Sequence, residues 1–165
     1  MNHLVIGLGG TGGKIIRALR KTLHQESLGN TGVANNVGYL YVDSSTEMMA
    51  LDDPSWKILG TSVQLPKASQ LLITDANLGS RLDNLDNYPG LAPWLGSPDD
   101  WRDILGSIVG ATLGGQKRRL GRFLFACKAD KYREQVQTQV KMLQRSGTTE
   151  VTFHIVAGLA GGTGS

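Results

Sequence analysis

The stretch His3-Leu4-Val5-Ile6-Gly7-Leu8-Gly9-Gly10-Thr11-Gly12-Gly13-Lys14-Ile15-Ile16 decides how the rest of the chain is read. Four residues with strand character run into seven positions of which five are glycine. Ile15, Ile16, Leu19 and Leu23 then recur at helical spacing. Strand, glycine turn and helix in immediate succession form the opening of a βαβ unit. A turn of that kind points backbone N–H groups inward, and the helix behind it adds about half a positive charge at its N-terminus, so together they make a phosphate cradle. The spacing Gly7-x-Gly9-x-x-Gly12 also satisfies the dinucleotide fingerprint. The acid that usually accompanies that fingerprint stands about 20 residues further on, whereas Asp43 lies 31 positions after Gly12. A P-loop is excluded, because Lys14 is followed by Ile15 rather than Ser or Thr and Leu8 stands where the pattern's first glycine belongs.

Working outward, Val37 to Val42 is a β-branched and aromatic run, predicting a second strand with Asp43 at its carboxyl end and with Ser44 or Ser45 capping a short helix through Ala50. A weaker third strand is expected over Trp56 to Leu59. The proline-punctuated residues Asn77 to Pro98 read as a long surface excursion. Asp99-Asp100 opens a helix carrying Ile104, Leu105, Ile108 and Val109 and ending at Gly110. A longer helix is expected from Arg119 to Gln144, its stripe formed by Phe125, Ala129, Tyr132, Val136, Val140 and Leu143 and widened by Leu120, Phe123, Leu124 and Cys127. Glu150 to Ala157 is a final strand, followed by Gly158-Leu159-Ala160-Gly161-Gly162-Thr163-Gly164-Ser165.

Composition narrows the classes. The 165 residues are 40% hydrophobic and 19% charged with net charge +3, which suits one α/β domain. Thirteen of the 22 glycines fall in three windows, Gly7–Gly13, Gly110–Gly121 and Gly158–Gly164, and that clustering points to backbone approaching a ligand. Cys127 has no partner for a disulfide and reads as a small core residue. His3, His24 and His154 are scattered, and no Cys/His spacing matches a zinc site. Residues 116–145 carry nine Lys/Arg against two acids, while residues 75–103 carry six Asp against two Arg. That polarity fits a solvated helix face or head-to-tail stacking of copies of the chain. No aromatic residues interleave with the basic ones as a nucleic-acid platform requires, so no nucleic acid is expected. No apolar run is long enough to span a membrane, and a cytoplasmic location is expected.

The last glycine loop, Ala157-Gly158-Leu159-Ala160-Gly161-Gly162-Thr163-Gly164-Ser165, closely resembles the signature phosphate loop of the tubulin/FtsZ family. The order of landmarks agrees. Ile6–Lys14 resembles that family's first phosphate loop, Val42-Asp43 its second-strand acid, and Gly114-Gly115-Gln116 through Gly121-Arg122 the glycine loop opening its third helix. Among its members the likeness is to bacterial tubulin-like proteins. The resemblance implies a Rossmann-like three-layer domain with a mainly parallel sheet, binding GTP or GDP with Mg²⁺, from a GTPase that self-assembles head to tail into filaments. Carried onto this sequence, Gly10, Thr11, Gly12, Gly13 and Lys14 would line the α/β-phosphates. Ala160, Gly161, Gly162, Thr163 and Gly164 would wrap the β/γ end, and Asp43 would act through Mg²⁺ or a water, with a helix cap as its alternative role. Lys14 stands where FtsZ commonly has Asn, and Ala160 replaces a frequent glycine. For Arg118, Arg119 and Arg122, salt bridging or a contact between protomers is favoured over phosphate binding. The family's base-reading helix and acidic loop follow the signature loop and are not among these residues. The stretch is therefore expected to be the amino-terminal part of a larger domain, hydrolysing little by itself, with an open sheet edge that promotes self-association. Two other readings remain open: a dinucleotide-binding oxidoreductase fragment, and a non-catalytic assembly module that kept the fold without the nucleotide.

Overall fold

The computed structural model describes residues 1–27, 36–50, 52–90, 92–95, 118–145 and 147–164. The expected helix after Asp99-Asp100 and the Gly114–Lys117 segment lie outside them.

Strand β1 (Asn2–Leu8) is central because its apolar residues face both ways. Leu4 and Ile6 are buried on one side and Val5 on the other, as alternation along a strand requires. Its helix α1 (Gly9–Ser27) leads to β2 (Val37–Asp43), which pairs parallel to β1. A short hairpin, β3 (Lys57–Ile58) and β4 (Thr61–Ser62), precedes β5 (Gln70–Leu72), which pairs parallel to β2. The helices α2 (Leu78–Asp83), α3 (Ala92–Leu95), α4 (Arg118–Cys127) and α5 (Ala129–Gln144) follow. Strand β6 (Val151–Ala157) then returns to the far side of β1.

The resulting four-stranded sheet has the order β5-β2-β1-β6, with every pairing parallel. One face carries Val5, Tyr39 and Tyr41 under Ile16 of α1 and under Trp56, Val63 and Leu65 of the β2–β5 connection. The other carries Leu4, Ile6, Leu40, Val42 and Leu71 under Leu78, Leu82, Leu95, Leu120, Phe123, Leu124 and Leu143 of α2 to α5. This is a Rossmann-like three-layer α/β fold. Right-handed crossover accounts for the layering. Connections that step from β1 to β2 to β5 lie on the α1 side, and the one that travels back to β6 lies on the opposite side. No helix among the described residues is long and apolar enough to cross a membrane.

Several expectations are corrected. Within the expected surface excursion 77–98, the described residues 77–90 and 92–95 are not all at the surface: Leu78, Leu82 and Leu95 are buried in the core. Arg81 forms an ion pair with the buried Asp75 (2.7 Å) and donates to the Tyr88 hydroxyl (2.6 Å), and Tyr88 sits edge-on to Phe123. The weak third strand exists only as the two-residue β3, paired antiparallel to β4 around Leu59 (φ 48°) and Gly60 (φ 81°) and outside the main sheet. The third strand of the sheet is Gln70–Leu72, too short to show an alternation. The long second-half helix is two helices, parted at Lys128 (φ −113°, ψ 13°), so Ala129 is exposed rather than on the apolar stripe. The three-residue 3₁₀ turn Glu47–Met49 has Thr46 at its N-cap, not Ser44 or Ser45. Finally, His3 and His154 are not scattered. They stand on neighbouring strands with Nδ1 and Nε2 3.0 Å apart, a hydrogen bond in which one ring donates and the other accepts.

Candidate functional site

In an open α/β sheet, ligands bind at the carboxyl ends of the strands where the strand order reverses. Here that reversal falls between β1 and β6, and each strand ends in a glycine loop. Leu8 and Ala157, the last residues of the two strands, are register partners, so Gly9–Gly13 and Gly158–Gly164 leave the sheet side by side.

Their contacts are made by backbone and by the side chains of Thr11 and Thr163. Gly9 turns the chain from strand to helix at φ +69°, and a Cβ there would lie 3.4 Å from the Thr163 Cβ and 3.6 Å from the Gly164 amide nitrogen. A Cβ on Gly12 would come within 2.6 Å of the Val156 carbonyl oxygen and 2.7 Å of the Gly7 carbonyl carbon, so only glycine lets α1 start this close to the sheet. Gly13 faces the Tyr41 ring, and Gly158 faces the Thr11 hydroxyl. Within the second loop the Gly161 amide donates to the Gly158 carbonyl (3.0 Å). Of the third glycine cluster, the described residue Gly121 of α4 lies against the second loop: its Cβ would collide with the Gly162 carbonyl oxygen and approach the Thr163 nitrogen to 3.2 Å.

The expected site residues thus fall into three sets. Gly10, Thr11 and Lys14, in the first turns of α1, are exposed, and a Cβ on Gly10 would meet nothing within 4 Å. Gly12 and Gly13 are buried, and their missing side chains serve packing. Ala160 is exposed, while Gly161, Gly162, Thr163 and Gly164 are half-buried against the first loop and α4. The first-turn amides of the 19-residue α1 have no acceptor within their own helix, and no acid stands in that turn. Both facts favour an anion.

Asp43 ends β2, a strand away from the two loops. Its carboxylate is buried: Oδ2 accepts from the Tyr41 hydroxyl (2.5 Å), and Oδ1 accepts from the amides of Ser44 (2.7 Å) and Ser45 (3.2 Å). Tyr41, itself fully buried, therefore bridges Gly13 and Asp43. The i, i+2 spacing that puts Tyr41 and Asp43 on one face of β2 was the signal for this pair. The contact of Gly121 was signalled only by a lone glycine within a helical pattern. No cluster of three or more His, Cys, Asp or Glu among the described residues is placed to hold a metal ion.

A parallel α/β sheet with two abutting glycine loops at its switch point defines a Rossmann-like domain. A family model described as tubulin like matches residues 4–165, and the chain belongs to that family. No curated protein and no solved structure matches it.

Proposed function

We propose that the chain binds a guanine nucleotide, GTP or GDP, with the phosphates lying across the two glycine loops, and that it belongs to a GTPase assembling head to tail into filaments. The observation that carries the reading is the convergence of Gly9–Gly13, Gly158–Gly164 and Gly121 at the carboxyl ends of β1 and β6. At Gly12 and Gly121 a side chain is excluded by backbone contact, which leaves amides, two threonine hydroxyls and a helix N-terminus to meet the ligand. Gly10, Thr11 and Lys14 take the α/β-phosphates. Ala160 to Gly164 take the β/γ end. Thr11 and Thr163 add hydroxyl donors. The donor set fits phosphate better than it fits a protein-built metal site, because the Asp43 carboxylate is already occupied by three internal donors. Mg²⁺ would accordingly be held by phosphate oxygens and water, where it would neutralise charge on the terminal phosphates.

The test is equilibrium titration of the full chain with fluorescent GTP and GDP analogues in Mg²⁺, alongside an ATP analogue and NADH. Guanine nucleotides are expected to bind and NADH not. Saturable NADH binding with no guanine-nucleotide binding would overturn the proposal and restore the dinucleotide reading. The occupied Asp43 also favours a second reading, a module that binds nucleotide to control assembly without hydrolysing it. Phosphate release from GTP clearly above the rate of the protein-free control, with binding intact, is the outcome that overturns it.

A further inference from the structure

The seam between β1 and β6 carries a pair of side chains that the glycine loops do not use. His3 alternates with Val5 along β1, and His154 is the register partner of Val5 on β6, so both rings project from the face of the sheet that carries α1. The ladder from Asn2↔Val151 to Leu8↔Ala157 fixes the spacing of the two backbones beneath them. His3 Nδ1 and His154 Nε2 lie 3.0 Å apart, with ring centroids separated by 5.2 Å. Among the described residues neither ring has an ion-pair partner, and the second nitrogen of each has no hydrogen-bond partner.

A hydrogen bond between exposed rings contributes little, because water replaces it at small net cost. Two neutral imidazoles held side by side are strong ligands for a late first-row metal ion. With metal–nitrogen bonds of about 2.0–2.1 Å, donors 3.0 Å apart subtend about 91–97° at the metal. That is the cis angle of the tetragonal geometry that Cu²⁺ and Ni²⁺ prefer, whereas tetrahedral Zn²⁺ requires the donors to stand about 3.3–3.4 Å apart. The rings now meet nearly head on, so a rotation about χ2 must bring their lone pairs together, and solvent on the exposed side leaves room for it. No third His, Cys, Asp or Glu among the described residues completes the set, so water fills the other positions and the ion exchanges readily.

We propose that His3 and His154 form a chelating site for a divalent late first-row ion, Cu²⁺ or Ni²⁺ in preference to Zn²⁺, and that the bound ion pins β6 to β1. The site is independent of the nucleotide reading, since neither histidine belongs to a glycine loop.

The test is calorimetric titration of the full chain with Cu²⁺, Ni²⁺ and Zn²⁺, together with electron paramagnetic resonance of the Cu²⁺-loaded protein. One ion per chain is expected, bound more weakly in the order Cu²⁺, Ni²⁺, Zn²⁺, with the resonance spectrum showing two imidazole nitrogens. His3→Gln and His154→Gln should each weaken binding about tenfold or more, because the second ring otherwise acts at the high effective concentration set by its strand. His24→Gln should leave it near the parent's. A free amino group two residues ahead of a histidine also captures Cu²⁺, using backbone amides, but here the His3 amide donates to the Asn36 carbonyl (2.7 Å). A two-residue extension ahead of Met1 should therefore leave the affinity unchanged. Saturating Ni²⁺, which does not oxidise the Cys127 thiol, should raise the melting temperature of the parent by about 5 °C or more and that of either variant by much less. A spectrum with one imidazole, binding that survives His154→Gln, binding lost on extension, or a melting temperature unmoved by Ni²⁺ would each overturn the proposal and leave the pair as a hydrogen bond only.

Discussion

Replacing Gly12 with alanine tests the construction of the site most directly. The new Cβ would lie 2.6 Å from the Val156 carbonyl oxygen and 2.7 and 2.8 Å from the carbonyl carbon and Cα of Gly7. Carbon contacts settle at about 3.5–4.0 Å, so a displacement of well over half an ångström is required. No flexible side chain is available to absorb it. Gly7 and Val156 are register partners in β1 and β6, and the methyl would wedge into the seam between the two strands that carry the loops. Either α1 lifts or the pairing opens. A cost of about 3 kcal/mol follows, the upper part of the overpacking range, equivalent to a fall in melting temperature of about 6–12 °C for a domain of this size. Gly10→Ala, two positions earlier in the same helical turn, meets nothing within 4 Å. It should gain about 0.5–1 kcal/mol from helix propensity and raise the melting temperature by a degree or more. Circular dichroism melts of the two variants and the parent decide the matter. If Gly12→Ala melts within about 2 °C of the parent, the close approach of α1 to the β1–β6 seam is wrong.

Three further outcomes are expected. Tyr41→Phe removes the hydroxyl that donates to the buried Asp43 carboxylate, and urea denaturation should show a loss of about 1.5–3 kcal/mol, the range for hydrogen bonds to charged groups; a loss below about 0.5 kcal/mol would show that the two amides alone satisfy Asp43. Burial pushes the Cys127 thiol above its ordinary value, with Asp75 adding to the rise against Arg81 and Lys128, so at neutral pH it should react with a disulfide reagent more slowly than free cysteine does; reaction as fast as free cysteine's would contradict this. The Ser55 hydroxyl and amide, with smaller help from Arg17 and Lys21, hold the Asp53 carboxyl below the usual aspartate range. A carboxylate depressed in this way supports the fold above its unfolded pKa and stops doing so as pH falls through the folded one. Hydrogen-exchange protection in the β3–β4 hairpin, taken relative to the intrinsic exchange rate at each pH, should therefore fall on acidification from about pH 5 to pH 3, and in Asp53→Asn it should be low already at the higher pH. Equal pH dependence in the two proteins would refute the assignment.

Sequence and structure agree where a signal is strong and local. The run from His3 to Ile16 specifies a strand, a turn and a helix, and the structure forms β1 and α1 from it; Glu150 to Ala157 becomes β6 in the same way. The elements not legible were those too short to be periodic. Gln70–Leu72 joins the main sheet with three residues, and α2 and α3, of six and four residues, bury Leu78, Leu82 and Leu95 without a detectable helical repeat. The break at Lys128 was hidden because apolar spacing continues across it. At the candidate site, glycine composition marked the two loops. Which glycines serve packing and which stay open was not visible, since Gly12 owes its role to Gly7 and Val156, and Gly121 owes its role to Gly162. Proximity of that kind depends on strands far apart in the chain, as does the meeting of His3 with His154.

The central position of β1 also sets an order of events during folding. Its partner β2 follows after one helix, but its other partner is β6, and His3 meets His154 across a separation of 151 residues. Contacts at that range carry a large loop-closure cost and are slow to form. Until β6 docks, β1 is an exposed edge, the first glycine loop has no facing wall, and Gly121 has no loop to lie against. Ligand can stabilise only the conformation that binds it. A nascent chain thus gains nothing from a ligand of these loops until β6 has been made, and the cradle forms only when that strand docks on β1.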